Sequence, residues 1–212
     1  DLGTVGDTPP IFAQAAGANV VYVAATPASE SALIVPPSSP ITSLADLKGR
    51  KVAFARGSSS HNLTVQILAK AGLTYADITP VYLTPADAAA AFARGSIDAW
   101  TIWDPYYAIA EKRQKARTLA TTKNVDGSNS FYLANRDFAK RHPDALRAVL
   151  DELAKATQWA DKNRGKLAAA ISEVTGVELE AQQAAVNRAR IDFGPVSDAV
   201  IAQQQAIADT FV

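Results

Sequence analysis

The chain of 212 residues contains no cysteine and only two histidines, His61 and His142. Without cysteine there is no disulfide, no thiolate nucleophile and no cysteine-ligated zinc. Two histidines that lie far apart in the sequence do not form a multi-histidine metal site. We therefore predict that the protein uses no metal and no cofactor.

An excess of charge is also missing, because 21 Lys and Arg residues balance 21 Asp and Glu residues. A balanced chain has no broad basic field for nucleic acid or for anionic lipid, which leaves a small molecule or a protein as the partner.

No apolar run approaches the roughly 20 residues that a transmembrane helix needs. The longest such stretches, for example 86–93, are rich in alanine and interrupted.

Short β-branched runs alternate with alanine-rich helical stretches, a pattern typical of α/β proteins with parallel strands. The predicted strands are 2–5, 19–25, 31–35, 51–55, 78–82, 97–101, 117–121 and 130–135. The predicted helices are 9–16, 43–47, 61–71, 85–93 and 105–115, and the chain is predicted to be helical after Pro143.

Two segments, 1–10 and 98–107, share one pattern in which an apolar run ends in Asp, is followed by Pro and then becomes helical. We interpret each as a strand that leads into a capped helix start. Two such units indicate two similar lobes with a ligand cleft between them, although ordinary βα units can look alike.

Loops at 36–40 and 124–129 are rich in Pro, Gly, Ser or Asn and are the candidate crossings between the two lobes. They predict a first lobe of 1–37 and 127–212 and a second lobe of 38–126.

The strongest local candidate for a site is Arg56-Gly57-Ser58-Ser59-Ser60-His61-Asn62, between a strand predicted to end at residue 55 and a predicted helix. Glycine permits close approach of a ligand to the backbone, and successive N–H groups at a helix start bind anions. The three hydroxyls add neutral donors. Neither the phosphate-loop spacing nor the dinucleotide fingerprint is present, which disfavours a nucleotide. The simpler alternative is an ordinary serine N-cap with solvated neighbours.

Further candidates lie at the ends of predicted strands. Trp103 is expected at the carboxyl edge of a sheet, either in contact with a ligand or as the lid of a core. Trp100 has the opposite parity and should pack against a covering helix. Asp7 and Asp104 are most simply helix caps, because a carboxylate beside an anion repels it. His61 is more often a packing or capping residue than a catalytic one. The remaining candidates for ligand contact are Gly6, Asp7, Thr8, Asp104 and Asn129.

Five motifs together match a known group of proteins. They are Gly-Asp-Thr-Pro-Pro at 6–10, Ser-Leu-Ala-Asp-Leu-Lys-Gly-Arg-Lys-Val-Ala at 43–53, Gly-Ser-Ser-Ser-His-Asn at 57–62, Trp-Asp-Pro-Tyr at 103–106 and Arg-Asp-Phe-Ala-Lys-Arg-His-Pro at 136–143. The set resembles the aliphatic-sulfonate-binding proteins, which are periplasmic receptors of bacterial ABC importers and relatives of the nitrate and taurine receptors. The resemblance covers essentially the whole chain.

This resemblance implies an α/β fold of the type II periplasmic-binding-protein class, with two lobes that close on an oxyanion. It matches 6–8 and 57–61 to the two helix-start loops that face the cleft, and Trp103 to the aromatic wall. It also implies a monomeric, periplasmic, non-enzymatic receptor that delivers an alkanesulfonate to a membrane-embedded permease. Because family members begin with a further strand, helix and strand, the resemblance implies a first lobe that lacks its N-terminal βα unit.

Two alternatives remain open at this point. An enzyme of the same fold would resemble the thiamine-pyrimidine synthases, which use His and metal-binding Cys residues, and the absence of cysteine argues against it. A ligand-sensing domain of a regulator would use the same cleft. The sequence also leaves open whether the oxyanion is an alkanesulfonate, taurine, nitrate or a sulfate ester.

Overall fold

The computed structural model describes residues 1–125 and 128–211, which form eight strands and nine α-helices within those ranges. The strands are β1 (Leu2–Val5), β2 (Val20–Pro27), β3 (Ser31–Val35), β4 (Lys51–Phe54), β5 (Thr79–Tyr82), β6 (Ala99–Trp103), β7 (Arg117–Thr121) and β8 (Asn129–Asn135). The helices are α1 (Thr8–Ala15), α2 (Ser59–Lys70), α3 (Pro85–Ala93), α4 (Tyr106–Gln114), α5 (Arg136–Arg141), α6 (Pro143–Lys162), α7 (Arg164–Thr175), α8 (Leu179–Arg188) and α9 (Asp198–Asp209). Among the described helices, none combines the length and the apolar character needed to cross a bilayer.

The backbone divides into two compact units. Unit 1 comprises 1–29, 127–167 and 189–212, and unit 2 comprises 30–126 and 168–188. Unit 1 contains a three-stranded sheet in the order β1-β8-β2, in which β8 is antiparallel to both neighbours. Because Val5 and Ala25 both pair with Phe131, the ends of β1 and β2 lie at the same edge of this sheet as the start of β8.

Unit 2 contains a five-stranded sheet in the order β5-β4-β6-β3-β7. Strand β4 is parallel to β5 and to β6, as the alternating pattern predicts, but β3 is antiparallel to β6 and β7. The expectation of parallel strands is therefore wrong for β3 and for the whole unit 1 sheet. Strand β3 lies between β6 and β7 and runs opposite to both, and β8 does the same between β1 and β2. These pairings join strands that are distant in the sequence, which a local alternation of strands and helices does not specify.

Alternating side chains of the unit 2 sheet pack into two apolar clusters. One contains Leu33, Val52, Phe54, Leu63 and Ile67, and the other contains Ile34, Ala53, Phe92, Trp100 and Ile102. Trp100 is 1% exposed and its ring centroid lies 5.8 Å from that of Phe92 on α3, which confirms its predicted place against a covering helix. These two cores fix the carboxyl ends of β4 and β6, from which the candidate residues emerge.

The compact units differ from the predicted lobes at two places. The loop at 36–40 lies inside unit 2, because the Arg117 guanidinium donates to the carbonyl oxygens of Ser39 and Ile41 at 2.9 Å. The segment 168–188 belongs to unit 2 as well, where Glu180 pairs with Lys112 at 2.6 Å. Residues 126 and 127 of the second predicted crossing lie outside the described residues.

Candidate ligand-binding site

The start of α2 provides two unpaired backbone donors. Gly57 has a φ of +71°, which turns the chain after β4, and Ser58 is extended at the N-cap position. The carbonyl of Ser58 accepts from the N–H groups of His61 at 2.9 Å and Asn62 at 3.2 Å. Within the described part of the chain, the N–H groups of Ser59 and Ser60 have no acceptor. Two adjacent donors at the positive end of a helix are suited to an oxyanion.

The serine hydroxyls of this loop have different surroundings. The Ser58 hydroxyl donates to the carbonyl of Ala55 at 2.7 Å instead of capping α2, so the ordinary N-cap alternative is wrong for this side chain. Ser60 is fully buried, and its hydroxyl lies 2.8 Å from that of Ser58. Because the Ser58 proton points to Ala55, the Ser60 hydroxyl donates to Ser58. Ser59 is half-buried, and its hydroxyl has no protein partner among the described residues.

The His61 ring is part of an aromatic cluster. It stacks on Phe54 with a centroid distance of 5.0 Å and an interplanar angle of 14°, and it lies 5.6 Å from the Tyr75 ring. Its Nδ1 accepts from the N–H of Gly57 at 3.2 Å. Burial lowers the pKa of His61, and the positive charge of Arg56 lowers that pKa further. These contacts confirm that His61 packs and supports the loop, and its contact with a ligand stays a prediction.

Trp103 ends β6 and is half-buried. It packs against the same cluster as Trp100, although strict alternation would place the two rings on opposite faces of the sheet. Since β4 and β6 are parallel neighbours, Trp103 emerges at the same sheet edge as the Gly57–His61 loop.

Asp104 is engaged within unit 2 and is 7% exposed. One carboxylate oxygen accepts from the N–H of Ala108 in the first turn of α4 at 3.0 Å, but Pro105 and not Asp104 occupies the N-cap position, so the predicted cap lies one residue before it. The other oxygen lies 3.2 Å from Nε of Arg188. Burial raises the pKa of Asp104 to about 6, although the positive charge of Arg188 acts in the opposite direction. The oxygen that faces Arg188 is buried and makes no hydrogen bond within the described residues, and contact of Asp104 with a ligand stays a prediction.

Arg188 pairs with the candidate residue Asp104, and no pattern in the sequence predicts this contact. Its guanidinium pairs with Glu111 at 2.6 Å as well as with Asp104, and it lies over the Tyr107 ring at 4.1 Å from the centroid. Through Glu111 and Tyr107 it joins α8 to α4. No local pattern points to this contact, because Arg188 is far from its partners in the chain and resembles an ordinary basic residue near a helix end.

In unit 1, Asp7 and Thr8 are buried at 1% and 0% exposure. The Thr8 hydroxyl donates to one Asp7 oxygen at 2.8 Å, and the Ser128 hydroxyl donates to the other at 3.3 Å. Asp7 occupies the N-cap position of α1, as predicted, but its side chain makes no capping hydrogen bond. The prediction is therefore right about the position and wrong about the hydrogen bond. Gln204 of α9 donates to the Asp7 carbonyl at 2.6 Å.

The other two unit 1 candidates lie at the same edge of the sheet. Gly6 follows β1 directly and is half-buried. Asn129 begins β8, pairs with Pro27 of β2, and donates through its side-chain amide to Gln203 at 2.9 Å. The structure therefore collects the candidates into one group per unit, and the contact of each group with a ligand stays a prediction. In the described ranges no cluster of three or more His, Asp or Glu side chains could hold a metal ion.

Comparison with known proteins identifies the family. The NMT1/THI5-like family profile matches residues 1–165. A protein from Escherichia coli named a putative aliphatic sulfonates-binding protein is 44% identical over 214 residues, covering 100% of this chain and 67% of the relative. The chain thus spans about two thirds of the length of that relative.

Two solved structures share the fold over the whole chain. The periplasmic aliphatic sulphonate binding protein SsuA from E. coli has a TM-score of 0.90 at 42% identity, with 70% of its chain covered. The alkanesulfonate-binding protein SsuA from Xanthomonas axonopodis pv. citri, bound to MOPS, has a TM-score of 0.92 at 39% identity, with 74% covered. These matches confirm the predicted periplasmic-binding-protein fold class. The chain belongs to the NMT1/THI5-like family, and within it to the aliphatic-sulfonate-binding proteins.

Proposed function

We propose that this chain is the ligand-binding part of a periplasmic receptor that captures an alkanesulfonate and delivers it to the permease of an ABC importer. The observation that carries the proposal is the pair of unpaired N–H groups at Ser59 and Ser60, in a chain 44% identical over its full length to a sulfonates-binding relative. The proposed receptor performs no chemistry on its ligand.

The chemistry of a sulfonate fits these donors. A sulfonate stays ionised at every physiological pH, so the site needs fixed hydrogen-bond donors and no titrating base. Micromolar affinity corresponds to about 8 kcal/mol. Charge-assisted hydrogen bonds of about 1.5 to 3 kcal/mol each, with alkyl burial on Trp103 at about 25 cal/mol per Å², can reach this value after the costs of association.

The enzyme alternative has little support from the residues. The chain has no cysteine, and the His61 ring stacks on Phe54, accepts from the N–H of Gly57 and has a pKa lowered by burial. The protein relatives at 39% identity and above carry the names of binding proteins. That the two lobes close on the ligand, and that the receptor is a monomer, stay predictions.

The proposal is tested by titration calorimetry of the chain with butanesulfonate, and with butylammonium as the control of equal alkyl length and opposite charge. We expect saturable binding of butanesulfonate alone. Proton NMR of the ligand after overnight incubation should show it unchanged. Equal binding of both compounds, absence of saturable binding, or release of sulfite would contradict the proposal.

A further inference from the structure

The loop 189–197, between α8 and α9, is fixed to the unit 1 sheet. Gly194 and Ala25 exchange two backbone hydrogen bonds, at 2.9 and 3.0 Å. The Phe193 ring meets the Tyr132 ring edge-on at 5.5 Å between centroids. Both contacts are local to unit 1, so this loop has a defined position although it contains no helix or long strand.

A cavity of about 350 Å³ lies between this loop, the end of β2, the start of β8 and α9. Its polar lining includes Arg190, Asp192, Ser128, Asn129 and Gln203. The cavity is of the size that small-molecule sites commonly have. The Ser128 hydroxyl donates to Asp7, so the cavity lies beside the α1 start in the same unit.

The polar groups of this cavity leave donors available. Asn129 donates its amide to the Gln203 oxygen at 2.9 Å, which leaves the Gln203 amide nitrogen as a donor. The Arg190 guanidinium is 3.9 Å from Asp192, and these side chains are 81% and 63% exposed. A contact of this length between exposed charges is weak, so Arg190 can rearrange to meet an anion.

The α1 start itself is poorly suited to an anion. Residues 9 and 10 are both proline and therefore lack N–H groups, and the buried carboxylate of Asp7 repels negative charge. A group that attracts an oxyanion in this part of unit 1 would therefore come from another element of the unit. Arg190 is the cationic side chain that lines the cavity beside this helix start.

We infer that the unit 1 cavity binds an oxyanion through the Arg190 guanidinium and the Gln203 amide. The inference goes beyond the proposed function, which rests on the α2 start in unit 2. A guanidinium can donate two parallel hydrogen bonds to a sulfonate or a carboxylate, so Arg190 is suited to oxyanions that present two oxygens on one side. Asp192 competes with the anion for Arg190.

The test compares Arg190→Gln with Arg147→Gln in the same 212-residue chain. Arg147 is a matched control, because it is 74% exposed, lies in unit 1 and also pairs with an aspartate, Asp144, at 3.9 Å. We expect Arg190→Gln to weaken butanesulfonate binding about tenfold or more and to reduce its dependence on salt, because a charge-assisted contact is lost. Arg147→Gln should bind as the unmodified chain does.

Two further variants sharpen the result. Arg190→Lys should recover only part of the affinity, because an ammonium cannot form the two-pronged contact. Asp192→Asn should strengthen binding two- to fivefold by removing the competing charge. Both shifts are read from titration calorimetry, and denaturant unfolding checks that each variant folds.

The outcomes separate this inference from the proposed function. If butanesulfonate binds and shifts the Ser59 and Ser60 amide resonances while Arg190→Gln behaves as Arg147→Gln does, the inference is overturned and the function stands. If Arg190→Gln abolishes binding while those amides never move, the inference stands and the α2 site is overturned. Absence of any sulfonate binding would overturn both.

Discussion

The two helix starts, α1 in unit 1 and α2 in unit 2, follow strands in the same way but differ in what they offer an anion. At α2, the N–H groups of Ser59 and Ser60 have no acceptor in the described residues. At α1, prolines occupy positions 9 and 10, and a buried carboxylate precedes them. The comparison shows that a strand followed by a helix defines a place for a ligand, whereas the side chains and missing N–H groups decide which ligand it suits.

Gly57 should produce the largest effect on the α2 side of this comparison. Its φ of +71° is strained for any other residue, and a branched side chain would also crowd the approach to Ser59 and Ser60. Gly57→Val should weaken butanesulfonate binding by more than about 2 kcal/mol, because it blocks or displaces the Ser59 and Ser60 donors and each charge-assisted hydrogen bond contributes about 1.5 to 3 kcal/mol. Titration calorimetry measures the loss.

A matched control exists at Gly72, which has a φ of +68° just after α2 and has no atom within 4 Å of the place where a Cβ would stand. Gly72→Val should therefore lower the free energy of unfolding through backbone strain alone, by a similar amount, and leave sulfonate binding unchanged. If both valine variants lose affinity equally, the α2 start is not the site.

Asp104 should make the stability of the folded chain depend on pH. The pKa of Asp104 is about 6 in the folded chain, above the unfolded value of 3.8, so the folded chain binds the proton more tightly. Protonation of Asp104 at low pH therefore stabilises the folded state. This contribution is lost as pH rises from about 4 to 6. The unfolding free energy of the unmodified chain, relative to that of Asp104→Asn, should fall by about 2 kcal/mol between pH 4 and 7. Urea unfolding at several pH values measures this difference, and a constant difference would refute the assignment.

Trp103 tests whether the unit 2 edge also selects the alkyl chain. Trp103→Ala should weaken butanesulfonate binding by about 1 to 2 kcal/mol while leaving nitrate binding nearly unchanged, because only the alkyl chain buries area on the ring. Trp103→Phe keeps an aromatic surface and should lose less. Equal losses for butanesulfonate and nitrate would show that Trp103 is a core residue only.

Ser59 and Ser60 should show the smallest effects, and they should differ in kind. Ser59→Ala should weaken sulfonate binding by about 1 kcal/mol, because one neutral donor is lost while the backbone N–H remains. Ser60→Ala should instead lower the unfolding free energy by about 1 kcal/mol, since its hydroxyl is buried against Ser58. Titration calorimetry measures the loss of binding, and denaturant unfolding measures the loss of stability. A stability loss for Ser59→Ala together with a binding loss for Ser60→Ala would contradict the loop geometry.

Much of the fold follows from local patterns. The bounds of β1, β3, β7 and α3 agree with prediction, because each is marked by β-branched residues or by a proline near the helix start. The predicted start of α2, at residue 61, lies two residues after the observed start at Ser59. Serine is a poor helix former, and a run of three serines does not indicate which of them begins the helix.

What the sequence could not predict depends on contacts between distant residues. The prolines of the loop at 36–40 indicate a crossing between lobes, but Arg117 binds its carbonyl groups and holds it in unit 2. Likewise the ion pair of Asp104 with Arg188 arises only when α8 packs on α4. The position of Arg190 at a cavity depends on the bridge from Gly194 to Ala25, which no local pattern encodes.

The most direct test of the account is an amide NMR titration of the chain with butanesulfonate. We predict saturable downfield shifts of the Ser59 and Ser60 amide protons, because both N–H groups gain a charged acceptor. Saturable binding in which the Ser59 and Ser60 amides do not move would contradict the claim that the α2 start holds the oxyanion.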